Sequence, residues 1–567
     1  MKIVVLSGGS GNDALIKGLN AYAVNGGFEL HVIVNAYDNG KSTGVCRAVT
    51  DTLGVSDIRK NHIRMYEALH GGQTNENILA FYDSRFDFTA GKEEEEISAL
   101  LRAWGMEQYV PYAARFFANP KAHNFAYRDF SVSNIVYAQM YREIGYEATN
   151  RHFCEELLGI PDFVVINSFD NVYIKAQTQS GYVIEDEGKT VFWNNAADKI
   201  VKTLYDVRSH SGLNSRAVDL VRGADLLIIS TGTFWSSIQP TVEYLDFYKH
   251  INDSPAKKIW VLNNEEDGDS FGVTSLEFVR HMEETGLSLR DFTILVNADA
   301  RPSLRLTDEA HRFACAKMGN RKGKHDGFLY AKAILRLYYG IESAAAYDCI
   351  LLDFDDTVWA RGNSEAEERV SRENVLLINE KLAEKAVIVS GNSYASIRAK
   401  LASVYGEHLE GFRVDVWADA NSTLFRADWR AEFLEELAVD AAAGEQVQRL
   451  AAEFGMPVET VGARPVCYKI KPLAPLERRL FAALVRETCP PCVCAKCTGN
   501  TTVDVVSAGN NKNAVFEHCG YAGLTTLYIG DEAVSGNDEA ISRRCTHSVC
   551  VGSAAETNCI LKLLTEE

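Results

Sequence analysis

Short apolar runs alternate with amphipathic stretches along the first 340 or so residues of the chain. KIVVLSGG is followed by DALIKGLNAYA, and later apolar runs are LHVIVNAYD, ADLLIISTGT, KKIWVLNN and TILVNADA. Buried runs of this length between amphipathic helices are typical of a parallel sheet with helices on both faces. The pattern predicts an α/β domain of the doubly wound, Rossmann-like kind, with its ligand at the carboxyl ends of the strands.

A second series of apolar strands follows the small, mixed stretch GIESAAAYD. Its three clearest runs, CILLDFDDT, AVIVSGNS and LTTLYIGDE, each end in polar residues, and about a hundred residues separate the second run from the third. The pattern predicts two Rossmann-like parallel-sheet domains, at residues 1–342 and 343–567. The second domain is expected to carry an inserted α+β cap at about residues 411–505.

Composition and charge narrow the class of protein. A chain of 567 residues is too long for one hydrophobic core, and a net charge of -19 argues against general binding of nucleic acid or an anionic membrane. Apolar runs stay shorter than a membrane span, and the 13 scattered cysteines come without a secretory signal. We expect a cytoplasmic protein with reduced thiols, and a homo-oligomer is compatible with this composition.

Two carboxylates at the end of a predicted strand are the first candidates for chemistry. Asp353 and Asp355 are two residues apart, so both point to one side if the pleat continues. One can attack a phosphorus atom while the other protonates the leaving oxygen, and a divalent metal ion would screen their repulsion. The alternative is a solvated turn after a strand.

Three further motifs follow in order. AVIVSGNS ends its strand in Ser390 and Gly391, groups suited to a phosphoryl oxygen, and SAGNNKNAV places Lys512 at a helix start, where an anion meets an ammonium and backbone N–H groups. LYIGDEAVSGNDEA supplies Asp531 and Asp538, oxygen ligands suited to Mg²⁺. A turn residue, an exposed lysine and a helix-capping charge are the alternative interpretations, and Lys469 and Lys471 compete with Lys512.

These four motifs together resemble the haloacid dehalogenase superfamily of phosphohydrolases over residues 347–567. The resemblance implies Asp353 as nucleophile, Asp355 as general acid and base, and Lys512 as charge stabiliser. It also implies phosphate contacts from Thr357, Ser390 and Gly391, and Mg²⁺ as cofactor. The long GDEAVSGNDEA spacing is similar to that of phosphomannomutase, and VWADANSTLF resembles the segment leading to the cap. The predicted metal ligands are Asp353, Asp355, Asp531 and Asp538.

Four cysteines near the end of the insertion raise the question of a zinc site. CPPCVCAKC contains two CxxC pairs, but a single residue separates them, without the loop that folds one pair onto another. The alternation in VCAKCTGNTTVDVVSAG favours a strand of the cap with incidental thiols over a metal site.

The glycine-rich loop VVLSGGSGNDAL is the candidate site of the first domain. Glycines between a strand and a helix let backbone N–H groups approach phosphate oxygens, although a tight turn without a ligand is the alternative. The loop is neither GxGxxG with an acidic partner nor a Walker sequence. Later segments with polar side chains, DNGKSTG, SDIRKN, SVSNIV, STGTFWSSIQP and VLNN, extend the candidate site.

These segments resemble the family that includes 2-phospho-L-lactate transferase and the gluconeogenesis factors, which bind UDP-N-acetylglucosamine. The chain departs from the pattern at Asn39, where the family has an acidic residue, and at Lys41, where it has a glycine. Lys41 favours holding a diphosphate by charge. The residues that the resemblance implies for binding a nucleotide or nucleotide sugar are Gly8, Gly9, Gly11, Asp38, Lys41, Ser42, Asp57, Arg59, Asn134, Gly232, Thr233 and Asn263.

The sequence predicts a two-module enzyme. Its second module is expected to hydrolyse a small phosphomonoester, such as a sugar phosphate, and its first to bind a nucleotide diphosphate-linked ligand. Two alternatives stay open: a bifunctional enzyme whose first module is a transferase with a nucleotide donor, and a metabolic regulator that senses a UDP-sugar.

Overall fold

A computed structural model of the chain describes residues 1–9, 11–23, 27–185, 187–319, 324–362, 364–428, 430–461, 465–471, 473–498, 501–534 and 538–566. The chain divides into two compact units. The first comprises Met1–Tyr22 and Phe28–Tyr338, and the second comprises Ala23–Gly27 and Tyr339–Glu567.

The first unit is organised by a seven-stranded parallel sheet, which confirms the predicted α/β class. The order of its strands is β10-β9-β8-β7-β1-β2-β3, and every neighbouring pair is parallel. The strands of this unit are β1 Lys2–Leu6, β2 Glu29–Val34, β3 Val164–Ile166, β4 Asn171–Thr178, β5 Val183–Ile184, β6 Ile200–Ser209, β7 Leu226–Ile229, β8 Lys257–Val261, β9 Phe292–Asn297 and β10 Arg312–Ala316.

Helices cover this sheet and connect its strands. The central strands β1 and β7 are almost wholly buried, as expected for strands with helices on both faces. The helices are α1 Asp13–Tyr22, α2 Lys41–Thr50, α3 Ser56–His70, α4 Glu76–Asp83, α5 Glu93–Ala103, α6 Val110–Phe117, α7 Val132–Ile144, α8 Tyr146–Arg151, α9 Glu187–Val191, α10 Ser215–Arg222, α11 Gln239–Glu243, α12 Tyr248–Asp253, α13 Ser275–Glu284 and α14 Gly327–Tyr339.

A small antiparallel sheet, absent from the sequence prediction, stands apart from the parallel one. It has the order β5-β4-β6. Arg47 joins it to the loop after β2, because its guanidinium donates to the carbonyl oxygens of Tyr37 at 2.8 Å and Val172 at 2.6 Å. This bridge braces the loop that carries Asp38.

The second unit has its own seven-stranded sheet, of order β15-β14-β13-β12-β11-β20-β21. Five neighbouring strands of this sheet are parallel, and these are β13, β12, β11, β20 and β21. β14 and β15 extend the β13 edge in antiparallel orientation. The strands of this sheet are β11 Cys349–Leu352, β12 Ala386–Val389, β13 Asp415–Ala418, β14 Thr423–Phe425, β15 Ala431–Phe433, β20 Thr526–Gly530 and β21 His547–Cys550.

The cap is a separate four-stranded antiparallel sheet with the order β16-β17-β19-β18. Its strands are β16 Val458–Val461, β17 Cys467–Ile470, β18 Val493–Thr498 and β19 Thr502–Ser507. The helices of the second unit are α15 Glu365–Leu377, α16 Tyr394–Tyr405, α17 Ala441–Glu453, α18 Pro475–Thr488, α19 Asn513–His518, α20 Glu539–Ser542 and α21 Ala554–Thr565, of which α17 and α18 belong to the cap.

The insertion begins later than the expected residue 411. Trp417 and Leu424 pack in the core of the second unit's main sheet with Leu351, whereas the separate core of the cap starts at Val439. The sequence places the segment from β13 to β15, which includes VWADANSTLF, inside the expected insertion. Its apolar side chains instead extend the main sheet, so the cap runs from about Val439 to β19.

Within the described ranges, no helix combines the length and the apolar character that a membrane crossing requires.

Candidate functional site

The candidate site of the second unit is built around Asp353, the first residue after β11. Asp353 is buried, and its Oδ1 accepts a hydrogen bond from Nζ of Lys512 at 2.5 Å. The same ammonium donates to Asp538 and, at 3.3 Å, to the hydroxyl of Tyr528. Lys512 lies directly before α19, as the sequence predicts. One buried cation therefore joins the strand-end motif to the last acidic motif.

Burial and neighbouring charges shift the pKa values of the ionisable groups in this cluster. Burial, with the negative charges of Asp538 and Asp531, raises the pKa of Asp353 to about 8, although Lys512 opposes the shift. Burial also raises the pKa of Asp531 to about 6. For Lys512, burial lowers the pKa, but the carboxylates of Asp353 and Asp538 outweigh it and the net pKa is raised. The cluster carries more acidic groups than its single lysine balances.

The same acidic residues fit a divalent cation. One carboxylate oxygen from each of Asp353, Asp531 and Asp538 lies within 4.8 Å of the others. Oδ2 of Asp538 is buried and has no hydrogen-bond partner among the described residues. Three converging carboxylates, with an acceptor atom left over, are suited to Mg²⁺, which prefers oxygen ligands.

Asp355 lies outside this group of three carboxylates, and its role as a metal ligand stays a prediction. Its Oδ1 accepts from Nζ of Lys400 at 2.6 Å, and its Oδ2 accepts from the side-chain amide of Asn392. The chain turns after β11, where Asp356 has a left-handed φ of 57° and Trp359 bonds back to Phe354. The alternation of a strand therefore stops at Asp353 and no longer fixes where Asp355 points.

A cavity of about 360 Å³ opens in front of these residues. Ser390 and Gly391 line it together with Asp353, Asp355 and Asp531, as expected for groups that contact a phosphate. Thr357 is not among the lining residues; it is buried, with its hydroxyl 3.4 Å from Oδ2 of Asp353. Lys469 and Lys471, which the sequence offered as competitors of Lys512, also line the cavity. Sequence reasoning missed the other lining residues, which are Arg361, Asn392, Thr502, Asp504 and Glu532.

The cysteine-rich segment forms the predicted strand of the cap. Cys494 and Cys497 lie on β18, which pairs antiparallel with β19. All 13 cysteines are free thiols. Among the described residues, the cysteines form no group of three or more ligands within metal-binding distance.

The first unit has a second candidate site, a cavity of about 190 Å³ at the carboxyl ends of β1, β2 and β7. Nine residues implied by the family resemblance line it, and these are Gly8, Gly9, Gly11, Asp38, Lys41, Ser42, Asp57, Gly232 and Thr233. A Cβ on Gly11 would lie 1.9 Å from the carbonyl oxygen of Thr231, so glycine is required there. The glycine loop packs against the loop after β7, and residues of both loops line the cavity.

Three implied residues do not line this cavity. Asn134 donates to the hydroxyl of Ser42 at 2.9 Å, and Asn263 bonds both the N–H and the carbonyl of Gly232. Arg59 is buried on α3, and burial lowers the pKa of its guanidinium. Asn134 and Asn263 support residues that line the cavity, whereas Arg59 lies within the packed interior.

Lys60 and Arg85 line the cavity in addition, as does Glu187. Lys60 is 3.3 Å from Asp57, three residues earlier on α3. Helical spacing puts Asp57 and Lys60 on one side of the helix and Arg59 on another, so this spacing could have identified Lys60. Arg85 and Glu187 come from distant segments, and no local pattern marks them.

Acidic side chains share this cavity with the cations. Burial, followed by the neighbouring Asp38, raises the pKa of Glu187 well above its ordinary value, and burial also raises that of Asp57. Lys41 pairs with Asp129 at 3.0 Å, and Arg85 lies 3.5 Å from the same carboxylate. The cavity combines glycine backbone, hydroxyl groups and three cationic side chains, which is a combination suited to phosphate oxygens.

Several known proteins resemble part of the chain. A putative gluconeogenesis factor from Thermoanaerobacterium thermosulfurigenes is 23% identical over 301 residues, 53% of this chain and 78% of that protein. A crystal structure of a UPF0052-family member from Bacillus halodurans covers 59% of this chain and 99% of its own, with 17% identity and a TM-score of 0.44. The IMP-bound IMP-nucleotidase mutant of Plasmodium falciparum covers 42% of this chain and 74% of its own, with 17% identity and a TM-score of 0.30.

The family model described as 2-phospho-L-lactate transferase CofD matches residues 3–324, more than half of the chain and the whole glycine-lined cavity. The chain belongs to the CofD family.

Proposed function

We propose that the second unit is a Mg²⁺-dependent phosphatase that hydrolyses a small phosphomonoester through an aspartyl-phosphate on Asp353. The observation that carries the proposal is the contact of buried Asp353 with Lys512, beside the acidic group of Asp531 and Asp538. A buried lysine bonded to a strand-end carboxylate is placed to stabilise negative charge during phosphoryl transfer.

In the first half of the reaction, an oxygen of Asp353 attacks the phosphorus atom of the ester. A bond forms between this oxygen and phosphorus while the bond from phosphorus to the alcohol oxygen breaks. Asp355, which lines the same cavity, gives its proton to the departing oxygen. The alcohol leaves, and Asp353 carries the phosphoryl group.

In the second half, water attacks the phosphorus atom of the aspartyl-phosphate. Asp355 takes a proton from this water, the bond from Asp353 to phosphorus breaks, and inorganic phosphate leaves. Ser390 and the backbone at Gly391 hold phosphoryl oxygens in both steps, and Lys512 keeps the charge of the Asp353 carboxylate compensated. Asp353 and Asp355 thereby return to their starting states.

Asp353, Asp531 and Asp538 would hold the metal ion, since their oxygens converge and Asp538 keeps an unpaired acceptor. When bound, Mg²⁺ supplies positive charge that draws phosphoryl oxygens to the site and screens the carboxylates from one another.

A phosphate-release assay with p-nitrophenyl phosphate, sugar phosphates and nucleotides tests the proposal. Asp353→Asn is expected to abolish release, because an amide is a poor nucleophile. Asp356→Asn is the matched control, since Asp356 is half-buried, pairs with Arg361 and has a left-handed φ that asparagine tolerates. Equal loss in both variants, or release by Asp353→Asn at the wild-type rate, contradicts the assignment.

For the first unit, the proposed function is binding of a nucleotide diphosphate-linked ligand. Its glycine loop and the cations Lys41, Lys60 and Arg85 lie on one cavity, as a diphosphate requires. Calorimetry with UDP, UDP-N-acetylglucosamine and GDP, with and without Mg²⁺, tests this proposal. Failure of every one of these ligands to bind contradicts it.

Binding alone and group transfer remain two candidate activities of that unit. Lys41 and Asn39 replace the glycine and the acidic residue of the family pattern, which favours binding without metal-dependent transfer. Incubation with nucleoside diphosphate donors and Mg²⁺ separates the two activities. Release of nucleoside monophosphate indicates transfer, whereas binding without release indicates a sensor.

A further inference from the structure

The face of the cap sheet that lines the cavity at Asp353 is polar, because polar and apolar side chains alternate along its strands. On β17 and β19, Tyr468, Ile470 and Val503 are buried in the core of the cap. The residues between and beside them therefore point to the opposite face. Lys469, Lys471, Thr502 and Asp504 line the cavity that also contains Asp353.

Charge is unevenly distributed around this cavity. The main sheet contributes the acidic residues Asp353, Asp355, Asp531 and Glu532, and its cation on the cavity wall is Arg361. The cap contributes two lysines, one acidic residue and one hydroxyl group. A substrate bound with its phosphoryl group at Asp353 therefore meets the cationic part of the cap with its other end.

The two lysines lie at different distances from the site of attack. Nζ of Lys469 donates to Oδ1 of Asn392 at 3.1 Å, and Asn392 donates in turn to Asp355, so Lys469 lies at the edge of the phosphoryl site. Lys471 is two residues further along the chain, directly after β17, and an extended backbone places its Cα on the order of 7 Å away from that of Lys469. This separation suits two charged groups joined by a short carbon chain.

Both ammonium groups can accept an incoming anion at low cost. Lys469 is hydrogen-bonded to a neutral amide, and Glu459 and Asp504 lie opposite it on the neighbouring strands. Lys471 pairs with Glu459 at 2.6 Å, but both side chains are about half exposed, at 50% and 51%. An exposed pair of this kind contributes little to stability, so an anionic ligand inside the cavity can displace Glu459.

We propose that the substrate hydrolysed at Asp353 carries a second anionic group, a carboxylate or a further phosphate, and that Lys469 and Lys471 bind this group. The inference rests on the proposed phosphatase activity and narrows its substrate class. A neutral, hydroxylated leaving group would leave both charges of the cap unused, whereas an anionic one gains charge-assisted hydrogen bonds. The preference is expected to be about tenfold in kcat/KM, as for one good contact of this kind.

Matched substrate pairs test the inference on the full chain with Mg²⁺. 3-Phosphoglycerate and glycerol 3-phosphate differ in a carboxylate, and glucose 1,6-bisphosphate and glucose 6-phosphate differ in a phosphate. In at least one pair, the charged member is expected to have a kcat/KM about ten times higher. The pair that shows this ratio identifies which anion the cap binds. Lys469→Met/Lys471→Met is expected to bring the ratio close to one through a higher KM.

Two controls keep the outcomes distinct. Lys471→Met alone changes a half-exposed side chain and should lower the ratio without a change in folding, and Lys381→Met, an exposed helical lysine outside the cavity, should leave it unchanged. Ratios near one in both pairs, or a ratio that survives the double variant, overturn the inference. So does hydrolysis of p-nitrophenyl phosphate without turnover of either charged substrate. Unchanged phosphate release by Asp353→Asn contradicts the phosphatase proposal itself.

Discussion

Nζ of Lys512 lies 2.5 Å from Oδ1 of Asp353, and both side chains are buried. Lys512 also contacts Asp538, so one ammonium compensates two carboxylates. This relationship links β11 with the segments before α19 and α20, which are separated from it by the cap. It places the proposed nucleophile next to the charge that stabilises its phosphorylated and free forms.

Lys512→Met is expected to impair both stability and activity. The variant leaves Asp353 and Asp538 without their shared cation, and breaking a buried ion pair costs about 3–5 kcal/mol. Urea unfolding without added metal should show a loss of this size, and phosphate release should fall to background. A loss below about 1 kcal/mol would mean that the contact contributes little.

The buried His62 predicts how the stability of the first unit depends on pH. Burial lowers the pKa of His62 to about 3, from an ordinary value of 6.5, and its Nδ1 lies 2.8 Å from the hydroxyl of Tyr137. Between these two values only the unfolded state binds a proton at this position. The stability that neutral, buried His62 contributes to the folded state is therefore fully present above pH 6.5. It is lost as the pH falls towards 3, by up to about 1.4 kcal/mol per pH unit.

Thermal unfolding of His62→Gln between pH 7 and pH 4 measures this contribution. Glutamine stays neutral and can still bond Tyr137, so the variant should lose less stability than the wild type over this range. His123→Gln, at an exposed position, serves as the control and should follow the wild type. Parallel curves for wild type and His62→Gln would show that His62 does not titrate as described.

The glycine loop predicts a steric effect on the first unit. In Gly11→Ala, the new Cβ would lie 1.9 Å from the carbonyl oxygen of Thr231, so the loop must shift. We expect a loss of about 1–3 kcal/mol in stability and weaker binding of a nucleotide diphosphate. Gly72→Ala, where nothing lies within 4 Å of the added Cβ, should change neither quantity. Unfolding of both variants measures the change in stability, and calorimetry with a nucleotide diphosphate measures the change in binding.

Neighbouring residues on α3 allow ligand contact to be separated from packing. Lys60 lines the cavity, whereas Arg59 is buried away from it. Lys60→Met is expected to weaken binding of a nucleotide diphosphate about tenfold with little loss of stability, since one charge-assisted contact is removed. Arg59→Met is expected to change stability instead. The reverse result would restore Arg59 as the ligand contact.

The comparison of Arg59 with Lys60 shows what the sequence can and cannot specify. Apolar runs were sufficient to predict the central strands of both sheets, because strands such as β11 and β20 are buried throughout and mostly apolar. The predicted strand ends also identified Asp353, Ser390 and Asp531 as candidate site residues. Choosing between adjacent polar residues requires the orientation of a helix relative to the sheet, which the family motif alone does not provide.

Other contacts depend on the folded chain as a whole. Lys400 reaches Asp355 from α16, Lys469 reaches Asn392 from the cap, and Glu187 enters the first cavity from the start of α9. None of these residues has a local pattern that distinguishes it from a surface charge. Strand alternation could not place the carboxylate of Asp355 either, because the turn after β11 ends that alternation.

The most direct measurement is chemical trapping of the phosphorylated aspartate. Full-length protein is mixed with Mg²⁺ and a substrate identified by the phosphate-release assay, quenched in acid and reduced with borohydride, which converts an aspartyl-phosphate to homoserine. Mass spectrometry of the peptide containing LLDFDDTVW is expected to place homoserine at position 353, and to find none when substrate is omitted. Phosphate release without any modification at Asp353, or with homoserine at Asp355 or Asp356 instead, would contradict the mechanism.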